Sequence, residues 1–351
     1  KYTAMKQTAC RDNRARGMFS FYGASRTGRW AGRNIQLQNL PQNHLEDLTE
    51  ARELVKTGSF DDVQMIYDDV PDTLSQLIRT AFIPRQGMKF IVADFSAIEA
   101  RVIAWLADEQ WVLDAFANNK DLYCETASRM FGVPVEKHGI NGELRQKGKQ
   151  CTLSCSYGGA KGALIAMGAI DSGMKEDELQ PLVIAWREAN PNIVRFWHSL
   201  EQCAMKCIKE KTVTKTNRLT FSYEAGFLFI ELPSGRRLAY AKPRIGENKF
   251  GGESITYMGI NAQKKWDRLE TFGGKLTENI CQSIARDLLM YSMQTLSHCF
   301  IVATVHDEII IEASKDMSLD VVCQQMARTP KWAEGLILRA DGYECEYYKK
   351  D

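Results

Sequence analysis

The stretch IVATVHDEIIIEA, residues 301–313, sets His306, Asp307 and Glu308 in the middle of an Ile-, Val- and Thr-rich run. β-Branched residues at this density favour strands, so the segment is predicted as two short strands meeting at a tight break. Carboxylates inside an apolar sheet need a base, a cation or a metal as partner, which constrains the fold. Two readings are open on this stretch alone. One is an exposed hairpin tip with its charges in water. The other is a carboxylate offered at the end of a buried sheet, and it requires a second carboxylate presented in the same way. QGMKFIVADFS, residues 86–96, supplies one: an apolar strand ending at Asp94. Two aspartates converging from separate strands make an all-oxygen site suited to Mg²⁺, which takes its remaining ligands from water and phosphate. Two such ions about 3.5–4 Å apart activate a hydroxyl and stabilise a leaving pyrophosphate.

A chain of 351 residues holds one large or two to three ordinary domains. Hydrophobic content of 44% beside 25% charged residues is that of a soluble globular protein, with no apolar run of membrane-spanning length. The start, KYTAMKQTAC, lacks an initiator Met and a signal-peptide pattern, so a piece of a longer, non-secreted protein is expected. The ten cysteines form no C-x-x-C pair; Cys151/Cys155 and Cys203/Cys207 stand at i,i+4 in helical segments. Four such thiolates could bind zinc, and the alternative is reduced, buried thiols in a cytosolic protein. The net charge of +1 hides an uneven distribution. Residues 1–40 carry Lys1, Lys6, Arg11, Arg14, Arg16, Arg26, Arg29 and Arg33 against Asp12, with Phe19, Phe21, Tyr22 and Trp30 between them. Arginines among aromatics suit phosphates and stacked bases; a solvated basic face is the alternative.

SAIEARVIAWLADEQWVLDAFA has helical spacing, and Ser96 with Glu99 three residues on fits a capping box. Further helices are expected in CETASRMFG, in ELRQKGKQCTLSCSYGG and in EDELQPLVIAWREANPNIVRFWHSLEQCAMKCIKE, broken at Pro191. Residues 212–258 switch to strand-like alternation, and the helix TENICQSIARDLLMYSMQTLSHC leads into the opening stretch. This order implies an α+β chain in which one sheet domain is interrupted by a largely helical insertion. In ELRQKGKQCTLSCSYGG, Arg145, Lys149, Leu153 and Tyr157 follow at i+4. Each step rises about 6 Å and drifts roughly 40° around the helix. Two cations one turn apart match a triphosphate, although an amphipathic helix with its cations in water has the same pattern.

Taken together, the segments resemble the polymerase domain of family A DNA polymerases, especially phage-encoded members. VADFSAIEARVIAWL is similar to motif A, RQKGKQCTLSCSYGG to motif B, and TVHDEIIIE to motif C. SRTGRWAGRNIQLQNLP, DLYCETASRMFGVP and TENICQSIARDLL resemble the primer-template segment, the early fingers segment and the minor-groove helix. The resemblance spans nearly the whole chain in family order. It implies an antiparallel-sheet palm, residues 1–108 and 262–351, interrupted by largely helical fingers at 109–261, with the thumb largely absent.

By position, the resemblance makes Asp94 and Asp307 the ligands of two Mg²⁺ ions, with Mn²⁺ as an alternative, and sets Glu308 beside them. Arg145 and Lys149 are implied to bind the dNTP, with Lys149 catalytic, and Tyr157 to pack by the nascent base pair. Glu99, with Tyr157, is implied to exclude a ribose 2′-hydroxyl. Arg29 and Gln282 are implied in the minor groove, Gln38 and Asn39 on the primer-template DNA, and His306 near the primer end. There are departures. Leu153 stands where Phe or Tyr is common, Tyr123 replaces a phosphate-binding His, and Glu278 replaces an Asn. The implied protein is a monomeric DNA polymerase of a bacterial host cytoplasm, without membrane partners. A single-subunit RNA polymerase and an inert nucleic-acid-binding fragment are the rivals; Glu99 speaks against the first.

Overall fold

The computed structural model describes residues 1–248 and 251–350. Residues 249, 250 and 351, which fall in the expected 109–261 and 262–351 segments, lie outside the described residues. The chain divides into two compact units: residues 1–96, 288–328 and 339–351 form the first, and residues 97–287 with 329–338 the second.

In the first unit, helix α1 (Tyr2–Thr8) and the short strands β1 (Phe19–Ser20) and β2 (Ala31–Gly32) precede a 3₁₀ turn at Leu37–Asn39. Helices α2 (Leu48–Lys56), α3 (Phe60–Ile66) and α4 (Val70–Gln76) then lead to β3 (Met88–Phe95). The chain returns to this unit in β10 (Phe300–Val305), β11 (Glu308–Ser314), α13 (Leu319–Met326) and β12 (Ala340–Cys345). These strands form one antiparallel sheet in the order β10-β11-β3-β12. β3 is central and almost wholly buried, which is why its sequence is a continuous apolar run and not an alternation. Phe90 and Val92 of β3 and Ile310 of β11 pack with Met18, Ile35 and Leu37 on one face. The register places Asp94 opposite Glu308, and Phe90 opposite Glu312, at the two ends of that same face.

The second unit opens with α5 (Ile98–Ala107), α6 (Gln110–Ala117), α7 (Leu122–Phe131), α8 (Leu144–Cys155) and α9 (Lys161–Ala166). Helices α10 (Leu179–Ala189) and α11 (Pro191–Glu210) follow, separated at Pro191 as the sequence suggested. Strands β4 (Thr214–Thr216), β5 (Leu219–Glu224), β6 (Phe227–Glu231), β7 (Arg237–Glu247), β8 (Glu253–Ile260) and β9 (Trp266–Thr271) form an antiparallel meander in sequence order. The division between the units falls within the next helix, α12 (Gly273–Thr295). This unit is therefore not helical alone. The strand-like alternation at 212–258 is real, and pairing carries it on to Thr271.

At the start of α5 the structure places Ala97, not Ser96, at the cap position, in a left-handed conformation and with no side-chain cap bond of its own. Glu99 accepts a hydrogen bond from the Tyr157 hydroxyl at 2.7 Å. The start of α11 is capped from a distance: the buried Glu109 carboxylate accepts the Asn192 and Ile193 backbone N–H groups at 2.8 and 3.2 Å.

Gly148 sets how closely α7 and α8 approach. A Cβ built there would stand 2.4 Å from the Tyr123 carbonyl oxygen and 3.0 Å from the Ala127 methyl. Exposed helix-interior Gly→Ala changes stabilise by about 1 kcal/mol. Gly148→Ala is expected to reverse that sign and destabilise by about 1–3 kcal/mol through overpacking, measured as a lower midpoint in urea unfolding.

Candidate active site

The first unit brings Asp94 and Asp307 together. Asp94 ends β3, and Asp307 lies in the two-residue turn between β10 and β11, where Val305 pairs with Glu308. His306, the first corner of that turn, is left-handed with φ 57°. That conformation suits the right-handed twist of a hairpin, though glycine more often supplies it. The Asp307 carbonyl accepts the Phe95 N–H at 3.4 Å, which ties the turn to the end of β3.

Burial, with the Asp307 carboxylate beside it, pushes the Asp94 pKa up to about 7. Asp94 Oδ1 is buried without a hydrogen-bond partner. A buried orphan oxygen next to a second carboxylate is what a hard divalent cation would satisfy, and an all-oxygen donor pair is the right chemistry for one. Among the described residues no group of three or more His, Cys, Asp or Glu side chains forms a metal cluster. The candidate site therefore rests on two carboxylates. Cys151, Cys155, Cys203 and Cys207 are free thiols and form no zinc cluster among the described residues.

Glu308 is differently placed. Its buried carboxylate accepts the Tyr348 hydroxyl at 2.8 Å and the Lys350 ammonium at 3.2 Å. Burial raises its pKa against the opposing pull of Lys350 and Tyr348. Tyr348 in turn accepts from the Arg79 guanidinium at 3.1 Å, and Arg79 is fixed by the Pro41 and Leu40 carbonyls at 2.7 and 2.5 Å. Sequence reasoning missed Arg79, Tyr348 and Lys350. None lies in a motif, and 269 residues separate the first pair.

Arg29, Gln38, Asn39 and His306, expected along DNA, line one cavity of about 370 Å³ with Trp30 and Thr304. Partial desolvation and the nearby Lys350 and Arg29 charges lower the His306 pKa. A neutral ring next to a fixed guanidinium can accept a hydrogen bond. Gln282 is in the other unit, half-buried on α12, on the same helical stripe as the Lys275–Glu278 ion pair of 2.7 Å.

The second unit carries the expected nucleotide residues. Gly148, Cys151, Thr152 and Cys155 form the buried side of α8, while Arg145, Lys149 and Leu153 rise along its open side. Leu153 is 46% exposed, well beyond what an aliphatic core residue shows. The Arg145 guanidinium donates twice to Asp121 Oδ2, at 3.0 and 2.8 Å, and lies 5.3 Å from the Tyr123 ring. Against the penalty of burial, Arg145 and two backbone N–H groups lower the Asp121 pKa. Asp121 was a missed partner, although its place one residue before α7 is a recognisable N-cap signal. Lys149 makes no carboxylate ion pair among the described residues. Burial raises the Tyr157 hydroxyl pKa, so it stays a donor to Glu99.

The raised Asp94 pKa has a sign that can be checked. Its folded value lies above the ordinary carboxyl value of 3.8. The folded state therefore binds an extra proton between about pH 4 and 7, and stability falls as pH rises through that window. In chelator, the melting temperature is expected to drop from pH 5 to pH 8. Asp94→Asn is expected to flatten that drop, and added Mg²⁺ to raise the wild-type melting temperature at pH 8 more than the variant's.

The family model described as DNA polymerase family A matches residues 2–334. The DNA polymerase of Bacillus phage SP02 is 52% identical over 356 aligned positions, covering 100% of this chain and 55% of the relative. The thermostable DNA polymerase I of Thermus aquaticus is 27% identical over 251 positions, covering 69% of this chain and 25% of the relative. The chain thus spans about half the length of the phage relative. Among solved structures, the POL domain of Pol1 from M. smegmatis, in complex with DNA primer-template and dNTP, matches with a TM-score of 0.64. That match covers 98% of this chain and 50% of the other at 19% identity, and so concerns the fold. With its model matched across nearly the whole sequence, the chain belongs to DNA polymerase family A.

Proposed function

We propose that this chain is the catalytic part of a template-directed DNA polymerase, adding dNMP units from dNTPs to a primer 3′-hydroxyl and releasing pyrophosphate. The observation that carries the reading is the Asp94–Asp307 pair at the end of the four-stranded sheet, with Asp94 Oδ1 buried and unpartnered. In this reading Asp94 and Asp307 hold two Mg²⁺ ions, which when bound supply electrostatic stabilisation of the attacking and leaving oxygens. Glu308 does not compete for that role, because Tyr348 and Lys350 already engage its oxygens. It positions the strand end that carries Asp307.

The sheet β10-β11-β3-β12 is the palm in this reading, and the helices between residues 109 and 261 belong to the fingers. Arg145 and Lys149 bind the triphosphate. Asp121 holds the Arg145 fork in a fixed orientation beforehand. Lys149 lies one turn on and supplies a proton or a positive charge to the leaving oxygen. Primer-template DNA runs along Arg29, Gln38, Asn39 and His306, whose shared cavity supports one contact surface. Gln282 serves the minor groove from α12. The Glu99–Tyr157 pair favours a deoxyribose, since a 2′-hydroxyl would displace a carboxylate that is already hydrogen-bonded. Leu153 lines the sugar side of α8 and Tyr123 the phosphate side.

Primer extension with Mg²⁺ tests the assignment. Asp94→Ala and Asp307→Ala are each expected to lower extension by on the order of a thousandfold or more while duplex binding by gel shift stays close to wild type. Extension retained in either variant refutes the reading. A second comparison addresses sugar choice. Glu99→Ala is expected to raise rNTP relative to dNTP incorporation by on the order of tenfold to a hundredfold. An unchanged ratio removes Glu99 from that role and reopens the RNA polymerase alternative.

A further inference from the structure

The six-stranded sheet β4–β9 has one face packed and one open. Leu219, Phe221, Leu228, Ile230, Leu238 and Tyr240 are fully buried on the side next to α11. By alternation the opposite face of such a sheet is expected to be polar. Here it carries aromatic rings. Phe227 and Phe229 stack at 5.7 Å with 25° between their planes, and Ile260 pairs across the strands with Trp266. Trp266 is 61% exposed and Ile260 58%, far more than their size and apolarity favour.

The register shows how the face is shaped. Phe227, Ala241, Met258 and Arg268 form one cross-strand row, and Phe229 stands beside Ala239 in the next. Alanines next to rings leave a shallow floor against which a flat group can lie. The Arg237 guanidinium lies 3.8 Å from the Phe229 ring centre and is held by Glu224 at 2.7 Å. A bulge in β7 between Ala241 and Arg244 turns Lys242 outward.

Charge identifies the occupant. Residues 211–271 contain eleven Lys and Arg against six Asp and Glu, a surplus of five in a chain whose net charge is +1. Lys242, Arg244, Lys264 and Lys265 are exposed, and among the described residues none pairs with a carboxylate. Exposed cations without carboxylate ion pairs, near partly exposed rings, suit a polyanion with flat bases more than a protein surface. We infer that the open face of this sheet binds single-stranded nucleic acid. Bases stack on Phe227, Phe229 and Trp266, and phosphates meet Lys242, Arg244, Lys264 and Lys265. Rings and cations read no base edges, so binding is tolerant of sequence. The inference rests on the polymerase reading only in naming the natural strand, which would be unpaired template.

The test uses the full chain and a fluorescein-labelled oligo(dT) of about 20 nucleotides, followed by anisotropy. The double variant Phe227→Ala/Trp266→Ala is expected to bind about tenfold more weakly, with Phe227→Tyr near wild type. Lys264→Glu/Lys265→Glu, at a solvent-exposed hairpin tip, is expected to weaken binding and to flatten its dependence on salt. The lysine pair keeps the test open if the aromatic variant does not fold, which circular dichroism reports. Extension on a primer-template with a two-nucleotide overhang should be unchanged in both variants, while extension on a long single-stranded template should fall. Wild-type affinity for oligo(dT) in both variants, as a face built for a protein partner would give, overturns the inference. Absence of extension by the unmodified chain, with oligo(dT) binding behaving as described, would remove the polymerase reading and leave this site standing.

Discussion

Two carboxylates brought together at the end of one sheet set the terms for the rest of that sheet. Asp94, Glu308 and Glu312 lie on one face of β3 and β11, and the fold treats them unequally. Glu312 is clamped by Arg14 at 2.8 Å and by Arg85 at 2.6 Å. Glu308 is held by Tyr348 and Lys350. Asp94 and Asp307 are given each other, and burial, together with their mutual repulsion, pushes the Asp94 carboxyl pKa up to about 7. Buried acids persist when something neutralises them. The close carboxylate pair, beside a hairpin whose first corner is a left-handed histidine, concentrates local instability at one place. The apolar packing of Phe90, Val92 and Ile310 a few residues along the same strands offsets it.

The same principle governs α8 in a milder form. Arg145 is not waiting in water: Asp121 Oδ2 takes both its Nε and its Nη2. A carboxylate is, like a phosphate, an oxygen anion, so in the proposed reading it would hold the guanidinium ready for an incoming phosphate. Exchanging one anion for another would cost less reorganisation than ordering a free arginine. Lys149, one turn on, makes no carboxylate ion pair among the described residues. In that reading the two cations would be prepared differently, one for orientation and one for charge.

Much of this was legible in the sequence, for physical reasons that also explain the gaps. β3 and β11 are near-continuous apolar runs, and a carboxylate at the end of such a run has few places to be. That made Asp94 and Asp307 recognisable although they stand 213 positions apart. The stripe on α8 followed from helical spacing alone. Local pattern failed where tertiary contacts chose differently. Ser96 and Glu99 have capping-box spacing, but Ala97, left-handed, takes the cap position, and Glu99 also meets Tyr157 from 58 positions away. The Arg79–Tyr348–Glu308–Lys350 network was invisible because nothing local marks residues whose partners lie 40 to 269 positions away. The strand-like alternation at 212–258 was visible, but its pairing as a six-stranded meander with an open aromatic face was not.

The Glu99–Tyr157 pair shows why backbone sterics matter as much as polar contacts for selectivity. A single 2.7 Å hydrogen bond cannot fix a tyrosine ring unless the chain behind it is fixed too. Glycine does that here. A Cβ at Gly274 would stand 2.2 Å from the Tyr157 carbonyl oxygen, and one at Gly159 would stand 1.9 Å from that of Ser154. The start of α12 can therefore press directly on the backbone of Tyr157, and the chain can fold tightly back after α8. Trp197 secures the same corner by donating its indole N–H to the Ser156 carbonyl at 2.9 Å. With the backbone held on both sides, the ring is directed toward Glu99. In the proposed reading, a larger sugar substituent would have to displace a supported structure, not a mobile side chain, and that would turn a modest contact into discrimination.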